Sequence, residues 1–153
     1  MAMPRTVLFL GTANSARSIL AEAMLARHGQ DAFRAYSAGA RPTGRVDPAT
    51  LAFLAQHGYA TAGLQSKSWD IFAGERAPAL DIVITLENSL IGEICPVFWT
   101  GRPASSHWPL PEEDGLDAVH AILERRIAAL IALPFPDLDA LGLQMRLDAI
   151  GRN

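Results

Sequence analysis

The segment Gly11-Thr12-Ala13-Asn14-Ser15-Ala16-Arg17-Ser18 carries the clearest chemistry in the chain. It joins an apolar run to a helix-like stretch. Small side chains let such a backbone curl until several N–H groups converge, and a helix N-terminus adds positive potential. Together these make an anion site. Arg17 falls in the first helical turn, where its planar guanidinium could grip two oxygens of a phosphate-like ion. Asn14 and Ser18 could brace the loop or donate further hydrogen bonds. The same pattern also suits an ordinary polar turn with Arg17 in solvent. Two other phosphate motifs are absent. There is no G-x-x-x-x-G-K-[ST], the only lysine being Lys67, and no G-x-G-x-x-G follows the run. Nucleotide hydrolysis and dinucleotide binding are therefore poorly supported.

The elements that must hold this loop are readable from periodicity. Thr6–Leu10 is a continuous apolar run with β-branched and aromatic members, which suits a strand buried on both faces. Ser18–His28 predicts a helix with Ile19, Leu20, Ala23 and Met24 on one side and Gly29 as its stop. Phe33–Ser37 is a second strand candidate. Asp47-Pro48 begins a second helix, a cap followed by proline, and Gly58 ends it. A short helix is expected at Ser68, and Leu80–Leu86 reads as another buried strand. Asn88 could cap a short helix through Ile94, and Pro96–Trp99 is read as the last strand. Leu116–Leu133 is the longest helix, and Asp137–Ile150 closes the chain with Leu138, Leu141, Met145 and Leu147 as its apolar residues. Strands alternating with helices predict a parallel sheet covered on both faces, with ligands beyond the carboxyl ends of the strands.

Composition narrows the class. The chain has 153 residues, 50% of them hydrophobic and 19% charged, which is globular and fits one domain, 1–153. The formal net charge is -3, which counts against a general nucleic-acid binder. A single cysteine, Cys95, excludes an internal disulfide and an all-cysteine metal site and suits a reducing compartment. The apolar runs fall short of a bilayer, and the start lacks signal-peptide design. The expectation is a soluble, cytoplasmic protein with no membrane or nucleic-acid partner, no cofactor and no metal.

Val7-Leu8-Phe9-Leu10 followed by the Gly11–Ser18 loop resembles the phosphate loop of low-molecular-weight protein tyrosine phosphatases. The resemblance is closer to the thioredoxin- or glutaredoxin-coupled arsenate reductases that share that fold. Tyr36-Ser37-Ala38-Gly39, Ser66-Lys67-Ser68-Trp69-Asp70, Asp81–Leu86, Cys95-Pro96-Val97, His107-Trp108-Pro109, Leu123–Ile127 and Leu147–Gly151 extend it in order along nearly the whole chain. The resemblance implies an α/β, three-layer, flavodoxin-like fold with a four-stranded parallel sheet flanked by helices. It also connects the chain with arsenic resistance. Some related reductases hold potassium beneath the loop with groups that resemble Asn14, Glu22 and Ser37; Glu22 reads equally well as a solvated helix position.

Three positions depart from the family's chemistry. The family's loop begins with a nucleophilic cysteine, activated as a thiolate. Gly11 stands in that place. Arsenate reductases of this type carry two further cysteines after the third strand to move oxidation onward. Glu87 stands at the first, and Cys95 alone cannot close a disulfide. Where the family's general-acid aspartate should fall, the chain reads Glu112-Glu113-Asp114. Glu112 is nearest that position, and all three also suit the start of a helix. No catalytic residue is intact on this reading. Gly11, Thr12, Ala13, Asn14, Ser15, Ala16, Arg17 and Ser18 would still hold phosphate, arsenate or sulfate. The expected protein is a pseudoenzyme that binds an oxyanion, with its protein partner unspecified. Residual reductase or phosphatase activity through another group is the second reading. Thr12, Ser15 and Ser18 have no histidine close in sequence to activate them, and His28, His57, His107 and His120 read as surface or packing, with His107 a candidate to face the loop. A third reading is an interaction module with a vestigial loop, in which Trp69, Trp99 and Trp108 could form the surface.

Overall fold

The computed structural model describes residues 4–73, 76–87, 103–111 and 115–152. The expectations for Asn88–Ile94, Cys95, Pro96–Trp99 and Glu112–Asp114 lie outside them. In chain order the elements are β1 (Arg5–Gly11), α1 (Arg17–Gly29), β2 (Phe33–Gly39), α2 (Pro48–Gln56), β3 (Ile82–Thr85), β4 (Ala104–His107), α3 (Leu116–Ile131) and α4 (Ala140–Gly151). Short 3-10 turns lie at Gln30–Ala32, Trp69–Phe72 and Phe135–Asp137.

The four strands form one parallel sheet in the order β2-β1-β3-β4. The chain winds from β1 to one side and then crosses to the other, so the order reverses between β1 and β3. That switch point opens a crevice at the carboxyl ends of the two strands. Gly11 ends β1, and Glu87 lies just beyond β3. Leu10 pairs with Thr85, and the Leu86 amide donates to the Leu10 carbonyl at 3.0 Å.

Strand alternation divides the core in two. Val7, Phe9, Ile82 and Ile84 face one way and pack with Ile19, Leu20 and Met24 of α1, Leu123, Ile127 and Leu130 of α3, and Leu147 and Ile150 of α4. Leu8, Leu10 and Val83 face the other way and meet Trp69, Phe72 and Leu80. Burying one such side chain contributes roughly 1.5–3 kcal/mol, so the sheet centre is the best-anchored part of the fold. Among the described residues no helix is long and apolar enough to cross a membrane.

Several expectations need correction. Within the described residues the fourth strand is Ala104–His107, a polar edge sequence without the apolar run that marks β1. Gly29 does not supply the backbone turn after α1; Gln30 takes the positive φ of 44°. The closing helix starts at Ala140, capped by the Asp139 side chain on the Gly142 amide. Leu141 and Met145 are 69% and 62% exposed rather than packed. The short helix expected at Ser68 is present as the 3-10 turn Trp69–Phe72, capped by the Ser68 hydroxyl, and it packs on the second face. Trp69 and Trp108 are buried, so neither offers a docking surface.

Candidate anion site

The loop after β1 is held by its carbonyls. The Gly11, Thr12, Ala13 and Ser15 carbonyls accept the amides of Ala40, Arg41, Thr43 and Asp47 at 3.3, 2.8, 3.2 and 2.9 Å. Ser66 Oγ also donates to the Ala13 carbonyl at 2.9 Å. In a trans peptide the C=O and the following N–H point in opposite directions. Carbonyls strapped to segment 40–47 therefore turn the Thr12, Ala13, Asn14 and Ala16 amides to the other side. The amides of Ala13, Asn14, Ser15, Ala16 and Arg17 meet no acceptor among the described residues. Ala16 caps α1 without a side-chain hydrogen bond, so no capping side chain occupies the first-turn donors.

Asn14 is the keystone of the turn. It is 1% exposed and adopts φ 48°, a left-handed conformation asparagine tolerates better than most residues. Its Nδ2 donates to Ser18 Oγ and Ser37 Oγ, both at 2.9 Å, and its Oδ1 accepts the Lys67 amide at 2.8 Å. Gly39 admits the loop from below. A Cβ there would stand 2.5 Å from the Thr12 carbonyl oxygen and 2.9 Å from the Asn14 nitrogen.

Beneath the loop, Ser37 Oγ donates to Glu22 Oε1, and Lys67 Nζ lies 3.6 Å from the same oxygen. Burial pushes the Glu22 carboxyl above its usual range, while the Ser37 hydrogen bond and the Lys67 ammonium pull it back. The residues resembling a potassium site are thus brought together but turned on one another, with an ammonium already beside the carboxylate. They do not fit a further cation. Among the described residues no cluster of three His, Cys, Asp or Glu could hold a metal.

Two charged residues belong to this end of the sheet, Arg17 at the start of α1 and Glu87 just beyond β3. Arg17 Nη1 is buried without a hydrogen-bond partner among the described residues. A buried guanidinium nitrogen without an acceptor is costly, and an oxyanion is one group that would satisfy it. Glu87 approaches from the β3 side, where its Oε2 accepts the Thr12 amide at 3.1 Å. A Cβ on Gly11 would lie 3.2 Å from Glu87 Oε1 and 3.1 Å from Ser18 Oγ. The expected loop residues therefore do assemble around one crevice, and Glu87 joins them. His107, on the outer strand β4, instead sets its Nδ1 2.7 Å from Thr85 Oγ1 of β3, and burial and the Arg126 charge lower its pKa.

Sequence reasoning missed the strap at 40–47, the Lys67 ammonium and the inward turn of Glu87. Only the register of β1 on β3 links Glu87 to Gly11. Residues so far apart in sequence carry no local signal of that kind.

The fold has known relatives. An arsenate reductase from Archaeoglobus fulgidus is 27% identical, with a TM-score of 0.64, over 83% of this chain and 99% of that one. A thioredoxin-dependent arsenate reductase from Corynebacterium glutamicum is 25% identical with a TM-score of 0.67, over 84% of this chain but 61% of its own. An arsenate reductase in the phosphate binding state is 25% identical, TM-score 0.67, over 84% and 97%. A search of curated proteins gave no match. The family profile for low molecular weight phosphotyrosine protein phosphatase matches residues 6–132, and the chain belongs to that family.

Proposed function

We propose that the protein binds an inorganic oxyanion (phosphate, arsenate or sulfate) in the Gly11–Ser18 loop and does not turn it over. The observation that carries this reading is that, among the described residues, Arg17 Nη1 is buried without a partner and the Ala13–Arg17 amides meet no acceptor. A similar structure, an arsenate reductase, is described in a phosphate binding state, which supports the same ligand class here.

The absence of turnover rests on the sequence. Gly11 has no side chain to attack phosphorus or arsenic. Glu87 stands where a relay cysteine is expected, and Cys95 alone closes no disulfide. A loop hydroxyl would need a base, and Ser18 Oγ is engaged by the Asn14 amide group. The protein is on this reading a pseudoenzyme of the arsenate reductase branch, acting in the cytoplasm.

Calorimetric titration of orthophosphate into the wild type and Arg17→Ala tests the reading. Binding is expected, and it is expected to weaken at least about tenfold in the variant, as loss of a charge-assisted hydrogen bond implies. Binding that ignores the substitution removes the proposal. Hydrolysis of p-nitrophenyl phosphate by the wild type, abolished by Arg17→Ala, would replace it with an enzyme.

A further inference from the structure

We propose that the side chains His28, Tyr59 and His120 form an acid-sensitive clamp, which fastens the end of α2 to α1 and α3 at neutral pH and lets go once both imidazoles carry an added proton. The clamp lies at the opposite end of α1 from the anion site and does not depend on it.

The argument starts from one hydrogen atom. Tyr59, just past the end of α2, is 8% exposed. Its hydroxyl lies 2.9 Å from His120 Nε2 of α3 and 3.3 Å from His28 Nε2 of α1. A phenol has a single hydrogen, so it donates to one ring and must accept from the other. Glu124 decides the direction. Its Oε2 lies 3.6 Å from His120 Nδ1, and a carboxylate is matched only by a nitrogen that bears hydrogen. At neutral pH His120 therefore carries its hydrogen on Nδ1. Tyr59 Oη donates to His120 Nε2, and His28 Nε2 donates to Tyr59 Oη.

One added proton leaves the clamp closed. With hydrogen on His120 Nε2 the chain reverses: His120 donates to Tyr59, and Tyr59 donates to the Nε2 of a neutral His28. A second proton removes that arrangement too. Both Nε2–H groups then face one phenol oxygen, and the phenol hydrogen has no acceptor among them. A buried donor without a partner is destabilising, so the rings part.

Charge acts in the same direction. Among the described residues, the charged or titratable groups around the chain are Arg27 and His28 on α1, His57 at the end of α2, and Asp117, His120 and Glu124 on α3. The His57 and His120 rings stand 5.4 Å apart between centroids. In acid, Arg27 and three imidazolium rings gather about Tyr59 against two carboxylates. His28 and His57 are exposed, so protons reach the cluster from solvent. Burial holds His120 below its usual 6.5 and lifts the Tyr59 phenol above its usual 10, which keeps the uncharged chain native at neutral pH. The hold is complete above 6.5 and is lost as pH falls through the lower native value.

The test is nuclear magnetic resonance of the full chain between pH 8 and 5, following the histidine ring nitrogens and the Tyr59 ring, for the wild type, His28→Gln and Tyr59→Phe. At pH 8 the His120 hydrogen is expected on Nδ1 and the His28 hydrogen on Nε2. The Tyr59 ring signals are expected to hold through the first protonation and to change with the second. Glutamine donates or accepts without taking charge, so His28→Gln is expected to lose the acid-induced change at Tyr59. Tyr59→Phe keeps the ring and removes the hydroxyl, and its two imidazoles are expected to titrate independently. A His120 hydrogen on Nε2 at pH 8 overturns the inference. So does a Tyr59 response that is absent in the wild type, follows the first proton, or persists unchanged in His28→Gln.

Discussion

The Glu87 carboxylate and the Thr12 amide share a 3.1 Å hydrogen bond across the switch point of the sheet. A negative group from β3 thus occupies the start of a donor loop that belongs to β1. With Gly11 in the place of the family's cysteine, no thiolate stands at the start of the loop. The structure places a different negative group nearby instead.

That neighbour decides what a restored thiol can do. Gly11→Cys sets its Cβ 3.2 Å from Glu87 Oε1, and a carboxylate at that range opposes thiolate formation. The double variant Gly11→Cys/Glu87→Ala is expected to cleave p-nitrophenyl phosphate in an iodoacetamide-sensitive manner. Its rate should exceed that of Gly11→Cys alone by about tenfold, the effect of one pKa unit on thiolate fraction. Equal rates, or no turnover from the double variant, contradict the assignment of Gly11 to the nucleophile's place.

Gly39 is a steric requirement of the loop. A methyl group there meets the Thr12 carbonyl and the Asn14 nitrogen, both of them backbone atoms that cannot swing aside. Gly39→Ala is expected to cost about 1–3 kcal/mol by urea denaturation and to abolish phosphate binding together. Retained binding at wild-type affinity would show that the loop relaxes without losing its donors.

Asn14 combines a left-handed backbone with three side-chain hydrogen bonds, two of them buried. Asn14→Gly keeps the backbone and removes the bonds, whereas Asn14→Ala loses both. Both are expected to destabilise by roughly 1–3 kcal/mol for the orphaned partners, with alanine the worse by about 1 kcal/mol. Differential scanning calorimetry gives the order.

Lys67 offsets a buried acid. The Glu22 carboxyl is raised above its ordinary 4.5 by burial, so the native state favours its protonated form. Its contribution is fully present below that value and is lost as pH rises through the native pKa. Lys67→Met removes the opposing ammonium and enlarges the loss. The variant should be destabilised on the order of 1–3 kcal/mol at pH 7 and much less near pH 4. A penalty independent of pH in urea titrations would mean the ion pair is not its source.

His120 sets a second pH response with the opposite sign. Its Nε2 meets the Tyr59 hydroxyl at 2.9 Å, and burial lowers its pKa from 6.5, helped by His57 and His28 and opposed by Glu124 and Asp117. The native state favours the neutral ring. Stability from this group is complete above 6.5 and falls as pH drops through the lower native value. His120→Gln should flatten that part of the curve of melting temperature between pH 7 and 5.

The readable parts of the fold were those governed by local periodicity. Val7 and Phe9 alternate with Leu8 and Leu10 because both sheet faces are covered, and the Asp47-Pro48 start of α2 follows from cap chemistry. The Ser18–His28 helix lies within one residue of its ends. The edge strand Ala104–His107 was invisible because one row of pairing to β3, rather than apolar burial, defines it. Leu141 and Met145 have helical spacing yet are exposed, since spacing gives a face but not what covers it. At the site, Arg17, Asn14 and Ser18 were legible as a motif. Glu87 was legible only as a missing cysteine, because its role depends on strand order.

The strap from Ala40 to Asp47 has a consequence for kinetics. Every carbonyl it ties down is held by the chain's own amides, so on the oxyanion-binding proposal little of the loop should remain to be ordered at the moment of capture. Capture should then proceed close to the encounter rate, and differences in dwell time, rather than in arrival, should separate one oxyanion from another.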